Sequence, residues 1–156
     1  MIDVYTSMLA AAMTSNATPN PCACASVRRA ARILARTFDT ALMGSGLNIT
    51  QLAVMRAVQR HPHEPLSRVA EDLAMDRTSL YRALAALQRQ SWISLRNGPD
   101  GRTRTAAVTP KGEEVLSRAQ PGWAGTQRAL IERFGAIQWQ ALTAELQRLA
   151  ACAGEL

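Results

Sequence analysis

Between Leu66 and Gln90 two apolar stripes of helical period belong to predicted helices that stand only three residues apart. Leu66, Val69, Ala70 and Leu73 share one face of a short helix predicted over about Ser67 to Leu73. After Ala74-Met75-Asp76, Leu80, Leu84 and Leu87 recur at spacings of 4 and 3 over about Arg77 to Gln90. Two helices joined by so tight a turn must cross steeply and bury their stripes in one shared core. The other face of the second helix carries Arg77, Thr78, Ser79, Tyr81, Arg82 and Arg89. One side is core; the other is basic and rich in hydrogen-bonding groups.

A β-hairpin is expected next. Trp92-Ile93-Ser94-Leu95 can pair with Thr105-Ala106-Ala107-Val108 around a loop holding Asn97-Gly98-Pro99-Asp100-Gly101, with Arg96, Arg102 and Arg104 about it. Thr109-Pro110 then starts a helix, since Thr accepts from orphan N–H groups and Pro fits the first helical position; Glu113 and Glu114 suit the positive end of its dipole. Pro121-Gly122 predicts a kink in that long helix. The last helix repeats Trp139, Leu142, Leu146, Leu149 and Ala153 at spacings 3, 4, 3, 4, a seam suited to another helix.

Upstream, Asn20-Pro21 reads as a start for a first helix with the stripe Val27, Ala30, Ala31, Leu34, Phe38, Ala41, Leu42, closed by Gly44 and Gly46. Thr50 is the expected cap of a second helix carrying Leu52, Met55 and Val58, which ends at His61-Pro62. The resulting fold class is mainly α with a small β-hairpin wing. Its parts are an N-terminal extension (1–20), a dimerisation helix (21–46), a winged helix-turn-helix lobe (47–109) and C-terminal dimerisation helices (110–156).

Charge bears on what such a lobe binds. The net charge is +6, and Lys111 is the only lysine among 18 basic residues. The guanidinium fork matches phosphate and guanine edges, so the balance suits a polyanion. A Ser, Thr and Arg face can enter the major groove of duplex DNA, and an Arg-tipped hairpin can follow the adjacent minor groove. No basic leader or long apolar run is present, which predicts a cytoplasmic protein with no membrane association. Cys22, Cys24 and Cys152 are too few for a disulfide framework and ill-spaced for a zinc site, so neither a metal nor a cofactor is expected. His61 and His63 are the only histidines and no phosphate loop or His-Glu metal motif occurs, so the chain is not expected to be an enzyme.

From about Cys22 to Ala151 the sequence resembles the MarR family of regulators. The resemblance is carried by Leu47-Asn48-Ile49-Thr50-Gln51, by Leu66-Ser67-Arg68-Val69-Ala70-Glu71-Asp72-Leu73, by Asp76-Arg77-Thr78-Ser79-Leu80-Tyr81-Arg82, and by Asp100-Gly101-Arg102 running into Val108-Thr109-Pro110-Lys111-Gly112. It implies a homodimer whose first and last two helices form the interface, with two lobes on a pseudo-palindromic operator in double-stranded DNA. Such proteins are usually repressors released by a small ligand or an oxidant. By motif position Arg102 resembles the wing-tip arginine, Asp100 the acid that orients it, and Ser79 and Arg82 recognition-helix contacts. Ser91 stands where the family usually has glycine, and Asn97-Gly98-Pro99 replaces a more charged wing base.

The expected DNA-binding set is therefore Arg77, Thr78, Ser79, Tyr81, Arg82, Asp100, Arg102 and Arg104. The competing reading is a winged helix that binds protein and not DNA, for which a neutral or acidic recognition face would be the sign. For sensing, Phe38, Trp123, Phe134 and Trp139 are candidates to line an aromatic-effector pocket, against ordinary core and interface packing. Cys22 and Cys24 near a helix start, with Cys152 near the end of the last helix, are candidates for redox or soft-metal sensing, against inert thiols.

Overall fold

The computed structural model describes residues 22–98 and 103–155. The chain divides into two compact units whose boundary, between Leu34 and Ala35, falls inside the first helix. That helix, α1, spans Ala23–Leu42. The expected start at Asn20-Pro21 lies outside the described residues; the Ser26 N–H donates to the carbonyl of Cys22, which closes the first described turn. Within the first unit the α1 side chains Val27 and Leu34 are exposed. In the second unit Phe38 and Leu42 are buried, and the helix gives way to a short 3-10 turn, Met43–Ser45. Gly46, at φ 81°, ends this turn in a left-handed conformation that glycine adopts without steric cost.

Helix α2 spans Ile49–Arg60, and its cap is Asn48 rather than the expected Thr50. The Gln51 N–H donates to Asn48 Oδ1 at 2.8 Å and the Asn48 N–H donates to Gln51 Oε1 at 3.0 Å. This reciprocal box satisfies two groups at once, which a lone threonine at the second helical position does not. The Ile49 N–H also donates to Asp39 Oδ1 at 2.7 Å, tying the new helix back to the end of α1.

Helices α3 (Leu66–Asp72) and α4 (Arg77–Arg89) follow, then β1 (Ile93–Asn97) and β2 (Arg104–Val108). The strands pair antiparallel with Ile93 opposite Val108 and Leu95 opposite Ala106. Helix α5 spans Pro110–Phe134 and α6 spans Ala136–Gly154. The core of the second unit gathers Leu52, Val54, Met55 and Val58 from α2, Val69 from α3, and Leu80, Leu84 and Leu87 from α4. Ile93 and Ala106 of the hairpin and Val115, Leu116 and Ala119 of α5 complete it. Leu73 is half-buried against the same cluster.

Where the sequence predicts a kink, α5 runs unbroken through Pro121. Its neighbour Gly122 has a packing reason: a Cβ there would lie 2.4 Å from the carbonyl oxygen of Ala41, so only glycine allows this approach to the end of α1. Between α5 and α6 the chain turns at Gly135, φ 95° and ψ 131°, a conformation essentially reserved for glycine. Helix α6 buries none of its residues.

Candidate nucleic-acid interface

The turn between α3 and α4 is built by capping at both ends. Leu73 ends α3, and Ala74 follows at φ 48°. The Ala74 N–H donates to the Glu71 carbonyl and the Met75 N–H to the Ala70 carbonyl, the paired bonds of a Schellman motif. Asp76 then caps α4: its Oδ1 accepts from the Ser79 N–H at 2.9 Å and its Oδ2 from the Ser79 hydroxyl at 2.6 Å. These bonds, the hydroxyl one first, hold the Asp76 carboxyl below its ordinary range. The same motif recurs where α4 ends. Ser91 stands at φ 60°, its N–H donating to Gln88 and the Trp92 N–H to Leu87. This explains the glycine expected at that place: the position needs a left-handed residue.

With Leu80, Leu84 and Leu87 sealed inside, α4 turns its remaining face outward. Arg77, Thr78, Tyr81, Arg82 and Arg89 are all exposed, while Ser79 is half-buried with its proton donated to Asp76. Ser79 therefore keeps only acceptor capacity for a partner, a restriction that the side-chain type alone does not reveal. None of the five arginines Arg77, Arg82, Arg89, Arg96 and Arg104 meets a carboxylate among the described residues. The nearby acids have other partners: Asp76 caps α4, Asp72 pairs with Arg60 at 2.7 Å, and Glu71 with Arg68 at 2.7 Å. The Arg60 hydrogen bond is the leading cause of the lowered Asp72 carboxyl, with His61 adding to it.

Arg104 opens β2, beside Thr103, and the loop residues Asp100 and Arg102 lie outside the described residues. An isolated bridge pairs Pro65, just before α3, with Thr105 of β2. The wing is thereby fastened to the front of the helix-turn-helix. Between them is a cleft of about 200 Å3 lined by Pro65, Leu66, Ser67, Arg77, Leu80, Tyr81, Thr103 and Arg104. Ser67 was not among the residues singled out from sequence; nothing in its local pattern marks it, because the wing strand supplies the opposite wall.

At the root of the wing, the Thr109 hydroxyl donates to the Ser91 carbonyl at 2.7 Å and accepts from the Gly112 N–H at 3.1 Å, while the Thr109 N–H donates to the Trp92 carbonyl. The predicted cap at Thr109-Pro110 is in place, and it also joins the end of α4 to the start of α5. A Cβ on Gly112 would lie 2.1 Å from the Trp92 carbonyl oxygen, so the third residue of α5 has to be glycine.

The sensing candidates are scattered. Phe134 and Trp139 pack edge to face at the α5–α6 corner, centroids 6.3 Å apart. Trp123 lies against the core and carries the Arg56 guanidinium 4.1 Å above its ring; Arg56 also donates to Gln120, clamping α2 to α5. Burial first, and Arg60 second, push the Arg56 guanidinium below its ordinary value. Trp123 further lines a shallow groove with Ala124, Gln127, Arg128, Ile131 and Glu132. Phe38 is buried. Cys22, Cys24 and Cys152 are free and exposed, and Cys152 borders a groove with Leu142, Leu146 and Leu149 on α6. Among the described residues no group of three or more His, Cys, Asp or Glu side chains could hold a metal ion, and no helix is long and apolar enough to cross a membrane.

No curated protein matches the sequence. The helix-turn-helix domain of the IclR family matches residues 51–96, the part of the lobe from α2 to the wing and less than half of the chain. Solved structures match over nearly the whole length. The transcriptional regulator MosR of M. tuberculosis, solved in complex with DNA, is 30% identical, with a TM-score of 0.79 over 86% of this chain and 97% of that one. A MarR family transcriptional regulator from Streptomyces coelicolor is 24% identical, with a TM-score of 0.75 over 90% of this chain and 99% of that one. PcaV, also from Streptomyces coelicolor and solved with its natural ligand, shares the fold at 19% identity and a TM-score of 0.78, over 88% of this chain and 99% of that one. The IclR match and these structures agree on the helix-turn-helix, and the structures extend the likeness beyond residues 51–96. The chain belongs to the MarR family of winged helix-turn-helix transcriptional regulators.

Proposed function

We propose that this protein regulates transcription as a homodimer bound to a pseudo-palindromic operator in double-stranded DNA, with α4 in the major groove and the wing along the adjacent minor groove. The observation that carries this reading is the surface of α4: Thr78, Tyr81, Arg77 and Arg82 exposed, and no carboxylate paired with either arginine among the described residues. A protein-docking winged helix has no need of such a field. The MosR structure, solved with DNA, supports the same use of this fold. Arg82 and Thr78 are the base-reading candidates, with Ser79 as an acceptor; Arg77, Tyr81, Arg104, Arg102 and Asp100 complete the DNA-binding set. A mobility-shift titration with duplexes selected from a random pool tests this. Saturable binding that weakens steeply with salt is expected. Absence of any shift at low salt would leave the protein-binding alternative standing.

Dimerisation is supported by the exposed apolar faces of α1 and α6. The proposed DNA partner is the ground for a cytoplasmic location. Release by a small effector or by oxidation is the associated control, with Trp123 of the α5 groove and the Phe134–Trp139 pair as effector candidates, together with Phe38. The exposed thiols Cys22, Cys24 and Cys152 are the redox or soft-metal candidates. Peroxide that releases DNA from the wild type but not from a Cys22/Cys24/Cys152 triple serine variant supports the thiols; equal response in both removes them.

A further inference from the structure

Resting on the reading of α4 and the wing as a DNA-binding surface, we infer that the cleft between them is a seat for one phosphate group, held by Arg77 and Arg104 together. Two cations from separate elements line one concavity, and neither has a carboxylate partner among the described residues. Like charges converging without a counter-ion repel, and a shared anion relieves both. The Ser67 and Tyr81 hydroxyls line the same cleft and are not engaged by any other described group, so they can add donors to the remaining oxygens. The walls are fixed in advance: the Asp76 cap anchors the start of α4, and the Pro65–Thr105 bridge holds the wing to the front of α3.

Size selects the ligand. At about 200 Å3 the cleft falls below the roughly 300–1,000 Å3 of sites that enclose drug-sized molecules, yet it has room for a tetrahedral anion with a few waters. Pro65, Leu66 and Leu80 supply the apolar part of its lining. A phosphate seated here lies between the base-reading helix and the wing. It fixes the register of both on the duplex while carrying no sequence information itself. The division of labour is then explicit: Arg82 and Thr78 read bases, whereas Arg77 and Arg104 hold backbone.

The test uses the full-length dimer and a random-sequence 30-base-pair duplex, since phosphate contacts do not require the operator. The slope of log affinity against log salt is measured for wild type, Arg77→Gln, Arg104→Gln and the double variant, with Arg89→Gln as an α4 control outside the cleft. Circular dichroism confirms folding. If one phosphate is shared, the double variant loses about 1 from the slope per protomer, and the second substitution adds less than it does alone. In parallel, inorganic phosphate is titrated into wild type and double variant at constant ionic strength, followed by NMR of the Ser67 and Thr103 amides. Non-additive loss of slope supports a DNA backbone phosphate. Saturable phosphate binding that the double variant abolishes, without change of slope, assigns the cleft to a free anion instead. Additive slopes, or no change in either arm, overturn the proposal. Failure of wild type to bind any duplex would overturn the DNA-binding reading, and the phosphate titration would still decide the cleft.

Discussion

Helices α4 and α6 carry leucines at the same spacing and end in opposite surroundings. Leu80, Leu84 and Leu87 are no more than 1% exposed, whereas Leu142, Leu146 and Leu149 remain 40–45% exposed. Periodicity states that a face is apolar and leaves open what covers it. For α4 the cover is local, because α2, α3, the hairpin and α5 fold over it within the same lobe. For α6 none of the described residues is buried. A face of this kind, left half-open along 19 residues, is completed by association, and that separates what the lobe does alone from what it does in a pair.

The strongest way to break the contrast is to remove the α6 seam. Leu142, Leu146 and Leu149 replaced together by serine should forfeit about 1 kcal/mol per side chain, or about 6 kcal/mol over a twofold interface, and so turn a micromolar dimer into a monomer by sedimentation. The lobe should keep its thermal transition. An unchanged dimer would show that α6 packs against nothing that matters for assembly. Next in size, Leu84→Ala should destabilise the lobe itself by about 3 kcal/mol in urea unfolding, at constant m-value, through the cavity left in a fully buried site. If it costs less than about 1 kcal/mol, the core is looser than its burial indicates.

Arg82→Ala sharpens the other face of the comparison. It should weaken selected duplexes by about 1–3 kcal/mol and random duplexes by much less, as expected for a lost base contact. Equal losses on both would move Arg82 to the backbone-holding set. The smallest effect is a gain. Ser91→Gly and Ala74→Gly should each raise stability by up to about 1 kcal/mol, because both positions hold left-handed backbone that side chains with a Cβ adopt at a cost. A loss of stability at either site would mean that glycine's extra freedom in the unfolded chain outweighs the relief of strain.

Much of the lobe was legible in the sequence because its signals are local. The Leu80-Leu84-Leu87 stripe and the Thr109-Pro110 start act within a few residues and have their expected places, and the hairpin expected from Trp92–Leu95 and Thr105–Val108 forms between Ile93–Asn97 and Arg104–Val108, without Trp92. Thr50 failed as a cap because Asn48 and Gln51 satisfy one another, and a lone hydroxyl loses to a reciprocal pair. What stayed hidden depends on partners far along the chain. Arg56 over Trp123 is one such case, as is Ser67 opposite Arg104. The Ser79 hydroxyl was hidden for a nearer reason: Asp76, read as part of the turn, is also the cap that takes its proton.

Thr109 gives the molecule a joint. Three elements meet at one residue: its hydroxyl bridges the exit of α4 and the entry of α5, and its amide holds the carbonyl at the foot of the wing. With Gly112 close against that same carbonyl, the end of α4, the foot of the wing and the start of α5 are tied to one another at this point. In a twofold assembly a few degrees of tilt in α5 become a change of stride between the two heads, and a duplex with fixed helical repeat tolerates only one stride. A ligand gripping α5, midway along it at the groove beside Trp123 or at its end at the Phe134–Trp139 corner, would act on the helix that this joint ties to the wing.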